Sequence, residues 1–178
     1  MRERTAKLLA EIAREIAPKE ILEIGTCLGV SAITVLSSCN GRLTTIDCDG
    51  QTLDTARKNF SLAEVADRVT VIEGDCYETA SLLKDNRYDL VILDGPKGHT
   101  DTLAEILLDM LTDNGVLFVD DIGFHGMTEG CDDPGHKHRT IVRSLRSFRD
   151  MVSQNINLES CFYDFEDGVA IIRKKERT

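Results

Sequence analysis

The chain is most informative first for what it lacks. No apolar run approaches the ~20 residues needed to cross a bilayer, so no transmembrane helix is expected and no membrane partner. The N-terminus, Met1-Arg-Glu-Arg-Thr-Ala-Lys7, has none of the apolar core of a signal peptide. Cysteines stand at Cys27, Cys39, Cys48, Cys76, Cys131 and Cys161, but no C-x-x-C pair occurs. That argues against a zinc ribbon and a thioredoxin motif, and the thiols read as reduced, in a cytoplasmic protein. Positive charge is scarce: 21 Lys and Arg face 31 Asp and Glu, for a net charge of −10. Broad non-specific binding to nucleic acid or anionic membrane is therefore disfavoured, although a local basic patch is not. There is no internal repeat, low-complexity tract or linker, so residues 1–178 read as one domain with room for a sizeable core.

What is present alternates between helix and strand. Leu8, Leu9, Ile12 and Ile16 make one apolar face of a first helix, which Pro18 ends. Strands are predicted at 20–24, 42–47, 68–73, 88–94 and 115–121, with helices near 30–38, 51–60, 77–84 and 102–111 between them. Continuous apolar runs such as Val91-Ile-Leu93 and Val116-Leu-Phe-Val119 suit strands buried on both faces of a parallel sheet. A long loop, 123–138, carries three of the four histidines, and a helix is predicted at 139–153. Two last strands, 161–165 and 169–173, flank Glu166-Asp-Gly168 and suit an antiparallel hairpin at an edge. The expected fold is α/β, a Rossmann-like doubly wound sheet with helices on both faces.

The segment Ile21-Leu-Glu-Ile-Gly-Thr-Cys-Leu-Gly-Val-Ser-Ala-Ile33 reads as buried strand, glycine turn and helix start. Gly25 and Gly29 lack a Cβ and let backbone approach a ligand. Open α/β sheets bind ligands at the carboxyl ends of their strands. The spacing is G-x-x-x-G, not the G-x-G-x-x-G of pyrophosphate sites, and Glu23 beside it suits a cationic ligand. Together these point toward S-adenosylmethionine.

The other strand ends carry acids. Asp47 is placed to accept both hydroxyls of a ribose, and Asp49 to cap a helix. Asp75 reads either as a second cap or as an acceptor for an adenine amino group. Asp94, Asp120 and Asp121 should meet at one edge of the sheet. Either they are solvated loop acids, or they hold a cation with oxygen ligands: Mg²⁺ first, Mn²⁺ or Ca²⁺ next. Lys97, three residues past Asp94, reads as a carboxylate-paired lysine. Beside a divalent cation its neutral form would be favoured and it could serve as a general base. Cys131, His136 and His138 match no standard zinc spacing and suit a moving substrate loop better. Arg139, Arg143 and Arg146 share one helix face and Ile141, Leu145, Phe148 and Val152 another. That describes either an amphipathic helix with a solvated basic face or a phosphate-contacting stripe.

With these residues in hand, the chain resembles class I S-adenosylmethionine-dependent methyltransferases, and among them the cation-dependent O-methyltransferases of catechol and caffeoyl-CoA type. The resemblance rests on Leu22-Glu-Ile-Gly-Thr26, on Tyr88-Asp-Leu-Val-Ile-Leu-Asp94 with Lys97, and on Gly115-Val-Leu-Phe-Val-Asp-Asp121 followed by Phe124-His-Gly126. It implies a seven-stranded, mostly parallel sheet with the last strand antiparallel. It implies Glu23, Gly25, Thr26, Gly29 and Ser31 around the methionine part of the cofactor, Asp47 on the ribose, and Asp75 and Cys76 at the adenine. It makes Asp94, Asp120 and Asp121 metal ligands, and Lys97 with Asp94 the catalytic pair. The third ligand position, commonly Asn in that family, is Asp121 here. Family members also usually carry further helices ahead of the point where this chain starts, which help shape the acceptor site and a homodimer. Phe124-His-Gly126, Arg139-Thr-Ile-Val-Arg143, Phe148 and Asp167-Gly168 look like bacterial members that methylate 5-hydroxyuridine at the tRNA wobble position. The expected activity is methyl transfer to a hydroxyl of a small phenolic or nucleoside-type acceptor. The alternatives are the tRNA enzyme, contacting tRNA through Arg139, Arg143 and Arg146, and a cofactor-binding protein without catalysis.

Overall fold

Residues that leave no polar face on a strand force that strand into the middle of a sheet, as Val91-Ile-Leu93 and Val116-Leu-Phe-Val119 do here. The computed structural model describes residues 1–128 and 135–175; Cys131 lies outside the described residues. The elements run α1 (Glu3–Ile16), β1 (Glu20–Ile24), α2 (Val30–Leu36), β2 (Arg42–Asp47), α3 (Gly50–Leu62), β3 (Val69–Glu73), α4 (Cys76–Leu82) and β4 (Tyr88–Leu93). They continue with α5 (Thr100–Asp109), β5 (Leu111–Asp120), α6 (Arg139–Gln154), β6 (Leu158–Tyr163) and β7 (Val169–Lys174). The sheet order is β3-β2-β1-β4-β5-β7-β6, with β7 antiparallel to both of its neighbours. This is the expected seven-stranded Rossmann-like sheet. The closing hairpin forms one edge, with β6 outermost; β7, whose Val169-Ala-Ile-Ile172 is buried throughout, takes the inner place.

Alternation along each strand sorts the core into two layers. Leu22 and Ile24 of β1, Val91 and Leu93 of β4, and Leu117 and Val119 of β5 pack with α4, α5 and α6. Ile21, Leu90, Ile92, Val116 and Phe118 pack on the other side with α1, α2 and α3. Helix α1 buries Leu9 and Ile12, as its periodicity predicts, with Leu8 and Ile16 half-buried at the rim. It stops at Ala17, whose left-handed φ of 44° turns the chain away just before Pro18.

Two boundaries differ: β6 runs Leu158–Tyr163 rather than 161–165, and β5 starts early for a clear reason. β5 begins at Leu111, earlier than position 115, although Thr112-Asp-Asn-Gly115 is polar and reads as a turn. Tyr88 of β4 pairs with Leu111, and a register shift between Tyr88 and Leu90 absorbs the polar residues.

Strand order reverses between β1 and β4, so the helices leaving these strands diverge and open a crevice at their carboxyl ends. Glu23 sits near that crevice but is fully buried, in the second core layer. Ser31 Oγ donates to Glu23 Oε1, and Thr45 Oγ1 donates to Oε2 at 2.6 Å. Thr26 Oγ1 in turn lies 2.6 Å from Thr45 Oγ1. Burial pushes the Glu23 carboxyl up to about 7, against the two hydroxyl donors and with the charges of Asp94 and Asp47 adding to the rise.

This makes folding pH-dependent with a definite sign. In the unfolded chain Glu23 ionises near its ordinary value of 4.5, whereas the folded chain keeps the proton to about pH 7. The contribution is thus fully present below pH 4.5 and lost as pH rises toward 7, by roughly 3 kcal/mol. Glu23→Gln should remove this slope. Denaturant unfolding from pH 4.5 to 8 should show the variant gaining on the wild type across that window; parallel profiles would exclude a buried, proton-holding Glu23.

Candidate active site

The turn after β1 takes its shape from packing. Gly25 and Gly29 have φ of +98° and +81°, conformations that side chains rarely adopt. A Cβ on Gly25 would strike the Asp94 carbonyl, and one on Gly29 the Phe60 ring. The space that the sequence suggested for a ligand is thus filled, at these two atoms, by protein. The Gly25 N–H donates to the Ile46 carbonyl at 2.9 Å, tying the ends of β1 and β2.

Asp47, half-buried at the end of β2, is held by two backbone donors. Cys27 N donates to Oδ2 at 2.9 Å and Asp49 N to Oδ1 at 3.1 Å. The carboxylate is therefore anchored to the glycine turn and keeps acceptor capacity on both oxygens. Asp49 caps α3, accepting from Gln51 N, Thr52 N and Thr52 Oγ1, as its position predicts. Asp75 caps α4 through Oδ1, at 2.8 Å from Tyr77 N and 3.2 Å from Glu78 N. Both bonds use one oxygen, so capping and a ligand contact through Oδ2 are compatible. Cys76 follows at the first position of α4, its thiol pushed up by burial and then by the Asp75 charge. Thr26 and Ser31 face inward onto the Glu23 network rather than into the crevice.

Two adjacent strand ends bring the acids of β4 and β5 together around Lys97. Its ammonium donates to Asp94 Oδ1 at 3.2 Å and to the Asp120 carbonyl at 2.8 Å, and lies 3.9 Å from Asp121 Oδ2. The Met1 amino group lies 3.9 Å from Asp94 Oδ2. Asp120 is only 3% exposed, and its Oδ1 accepts the Asp121 N–H at 2.9 Å. Burial, then the charges of Asp94 and Asp121, push Asp120 up to about 6, with Lys97 opposing. The three acids predicted to meet do meet, but they close on Lys97. Among the described residues no group of three or more His, Cys, Asp or Glu is arranged to hold a metal ion. The Lys97–His99 turn is itself fastened from α4: the Tyr77 hydroxyl donates to the His99 carbonyl at 3.0 Å, and the two rings meet edge to face.

Beyond Asp120 the backbone is strained. Asp121, Phe124 and His125 have φ of 58°, 43° and 57°, and Gly126 follows at 78°. A phenylalanine there is uncommon, and each such non-glycine residue costs on the order of 1 kcal/mol or more. Phe124 sits between His125 and His138, with ring centroids 5.5 Å away in each case. His138 thus serves as a ring partner, while His136 is exposed.

The arginine face of α6 divides. Val142, Leu145, Phe148 and Val152 are buried, as the amphipathic pattern predicts, with Ile141 half-buried. Arg146 donates from Nε to the Thr128 carbonyl at 3.1 Å and from Nη2 to the Met127 carbonyl at 3.2 Å. Arg139 and Arg143 are exposed and, with Arg146, line a concave surface of about 640 Å³. A Cβ on Gly98, next to Lys97, would lie 3.9 Å from Thr140 of α6, so this surface adjoins the acid cluster.

Sequence reasoning missed Thr45, and it marked Glu166-Asp-Gly168 as a turn and Asp167-Gly168 as a subgroup feature without the contacts that Glu166 and Asp167 make. A hydroxyl in the middle of a predicted strand was the available signal for Thr45. For those contacts no local signal existed, because their partners lie far away in the chain.

The family model for O-methyltransferases matches residues 3–175. A Mycobacterium tuberculosis protein described as an O-methyltransferase is 31% identical over 166 residues, spanning 91% of this chain and 72% of that protein. A catechol O-methyltransferase of the same organism is 30% identical over 118 residues, 65% of this chain and 54% of that one. Among solved structures, Podospora anserina methyltransferase PaMTH1, bound to S-adenosylhomocysteine, superposes with a TM-score of 0.84 at 26% identity, covering 99% of this chain and 80% of that one. TomG of Streptomyces achromogenes, an O-methyltransferase in complex with S-adenosylmethionine, shares the fold with a TM-score of 0.90 at 23% identity, over 99% and 82% of the two chains. Taken with the strand-end acids and the glycine turn, the match over nearly the whole length means that this chain belongs to the O-methyltransferase family.

Proposed function

We propose that the protein moves a methyl group from S-adenosylmethionine to a hydroxyl of a small phenolic or nucleoside-type acceptor. The observation that carries this reading is the contact of two half-sites at one sheet edge. The glycine turn and the anchored Asp47 lie on one side, and the Asp94–Lys97–Asp120–Asp121 group on the other. Gly25 packs directly on the Asp94 carbonyl, so a cofactor on the first half would meet an acceptor on the second. The cofactor complexes of PaMTH1 and TomG, and the catechol activity of the mycobacterial relative, support it.

Asp47 accepts the ribose hydroxyls, and Asp75 Oδ2 with the Cys76 segment lines the adenine side. Gly25, Thr26 and Gly29 shape the turn around the methionine part. Glu23 with Ser31 supplies a buried carboxylate behind it. Lys97, once neutral, takes the acceptor proton as the oxygen attacks the sulfonium methyl, and Asp94 orients its amine. The oxygen-only chemistry of Asp94, Asp120 and Asp121 would suit a divalent cation, Mg²⁺ before Mn²⁺ or Ca²⁺. A cation there supplies Lewis acidity that makes the acceptor hydroxyl easier to ionise. A second reading, with wobble 5-hydroxyuridine of tRNA as acceptor, is supported by Arg139 and Arg143 on the concave surface beside Lys97. The bonds of Arg146 to the Met127 and Thr128 carbonyls shorten the stripe that a polyanion could use.

Two measurements test the reading. Asp47→Ala should weaken S-adenosylmethionine binding by about 1.5–3 kcal/mol, since each hydrogen bond to a charged group is worth that much; unchanged affinity by calorimetry removes Asp47 from the site. Methyl transfer should be assayed on catechol and on hydroxyuridine-containing tRNA, with and without chelator. Turnover should vanish in excess chelator, return with Mg²⁺, and be lost in Asp120→Ala while cofactor affinity stays. Full activity in chelator rejects the cation, preference for tRNA with a steep salt dependence selects the second reading, and cofactor binding without turnover on either acceptor rejects catalysis.

A further inference from the structure

The turn between β6 and β7 is bound at both ends to distant parts of the chain. Its Glu166 carboxylate accepts from Arg4 N at 2.9 Å, Thr5 N at 3.0 Å and Thr5 Oγ1 at 2.7 Å, and so caps the first turn of α1. Its Asp167 turns the other way. Asp167 Oδ1 accepts the His125 N–H at 2.7 Å, and Oδ2 lies 3.4 Å from His125 Nδ1 and 3.8 Å from Arg2 Nη2. The backbone repeats the contact: Gly123 N donates to the Asp167 carbonyl at 2.7 Å, and Ile122 N to the Gly168 carbonyl at 3.1 Å. The fit leaves no slack, for a Cβ on Gly123 would come within 2.8 Å of the Asp167 carbonyl. The Asp167 side chain is only 9% exposed.

The clamped segment, 121–126, is the one with left-handed backbone at Asp121, Phe124, His125 and Gly126. It follows directly on Asp120 and carries Asp121, which reaches Lys97, and Phe124, which stacks with His138 ahead of α6. Such a backbone persists only where its surroundings hold it. Asp167 holds it from another element: its carboxylate takes the His125 N–H, inside the left-handed run, which the sheet cannot take.

We infer that Asp167 is a positioning residue for methyl transfer, fixing the loop that presents Asp121 and Phe124 to the acceptor. The inference rests on the proposed O-methyl transfer. It leaves the cofactor half alone, because Asp47 is held by Cys27 N and Asp49 N, away from this hairpin.

The test uses the full chain, with Asp167→Ala and Asp167→Asn compared with wild type. Asn keeps a side-chain oxygen for the His125 N–H, whereas Ala removes it. Amide exchange at Gly123 and His125 should rise at least tenfold in Asp167→Ala and little in Asp167→Asn. On whichever of catechol or hydroxyuridine-containing tRNA the wild type methylates, kcat should fall about tenfold or more in Asp167→Ala, with Asn restoring most of it. S-adenosylmethionine affinity should stay within twofold in both. Unchanged exchange, or an unchanged kcat beside raised exchange, overturns the inference. A loss of cofactor affinity in step with kcat does so too, since it would mark a general loss of fold. If the wild type methylates neither acceptor, the functional reading falls, and with it the catalytic half of the inference. Exchange then still decides whether Asp167 clamps the loop.

Discussion

The close passage of Gly25 over the Asp94 carbonyl is the constraint from which the site follows. At this point the ends of three strands are sewn together: Gly25 N to Ile46 O, and Asp94 N to Ile24 O, each at 2.9 Å. No residue with a Cβ could sit there without pushing β4 from β1. Because strand order reverses between these strands, the same passage marks the mouth of the crevice. The half built on β1 and β2 and the half built on β4 and β5 can therefore meet only with glycine at position 25.

Charge is the second organising term. The edge of the sheet gathers Glu23, Asp47, Asp94, Asp120 and Asp121, and a cluster of that sign has to be neutralised. The fold does so in three ways. It buries Glu23, which raises its carboxyl to about 7 against the two hydroxyl donors. It gives Asp47 two backbone donors. It sets the ammonium of Lys97 among Asp94, Asp121 and the Asp120 carbonyl. Burial and neighbouring charge together raise Asp120, as burial raises Glu23.

Most of the architecture was legible in the residues, because it depends on local pattern. Val91-Ile-Leu93 and Val116-Leu-Phe-Val119 announce strands with two buried faces. Pro18 ends α1, and Asp49 caps α3, by rules that act within four residues. The start of β5 was not legible, since only pairing with Tyr88 draws Thr112–Gly115 into a strand. At the site, the acids at strand ends could be named from spacing. What each one touches could not be, because Asp47 meets Cys27 and Lys97 meets the Asp120 carbonyl across gaps of 20 and 23 residues.

The sequence by itself determined the sheet, its alternation with helices, and which acids stand at which strand ends. Hydrophobic periodicity and capping chemistry are written in neighbouring residues. Tertiary structure alone decided that Glu23 is buried on a pair of hydroxyls, that Arg146 anchors the Met127 and Thr128 carbonyls, and that Lys97 closes the acid cluster. It also decided that Glu166 and Asp167 tie α1 and the loop after β5 to one hairpin. These are contacts between segments as far as 162 residues apart, and their partners are chosen by where the packed layers bring the chain, which no local pattern encodes.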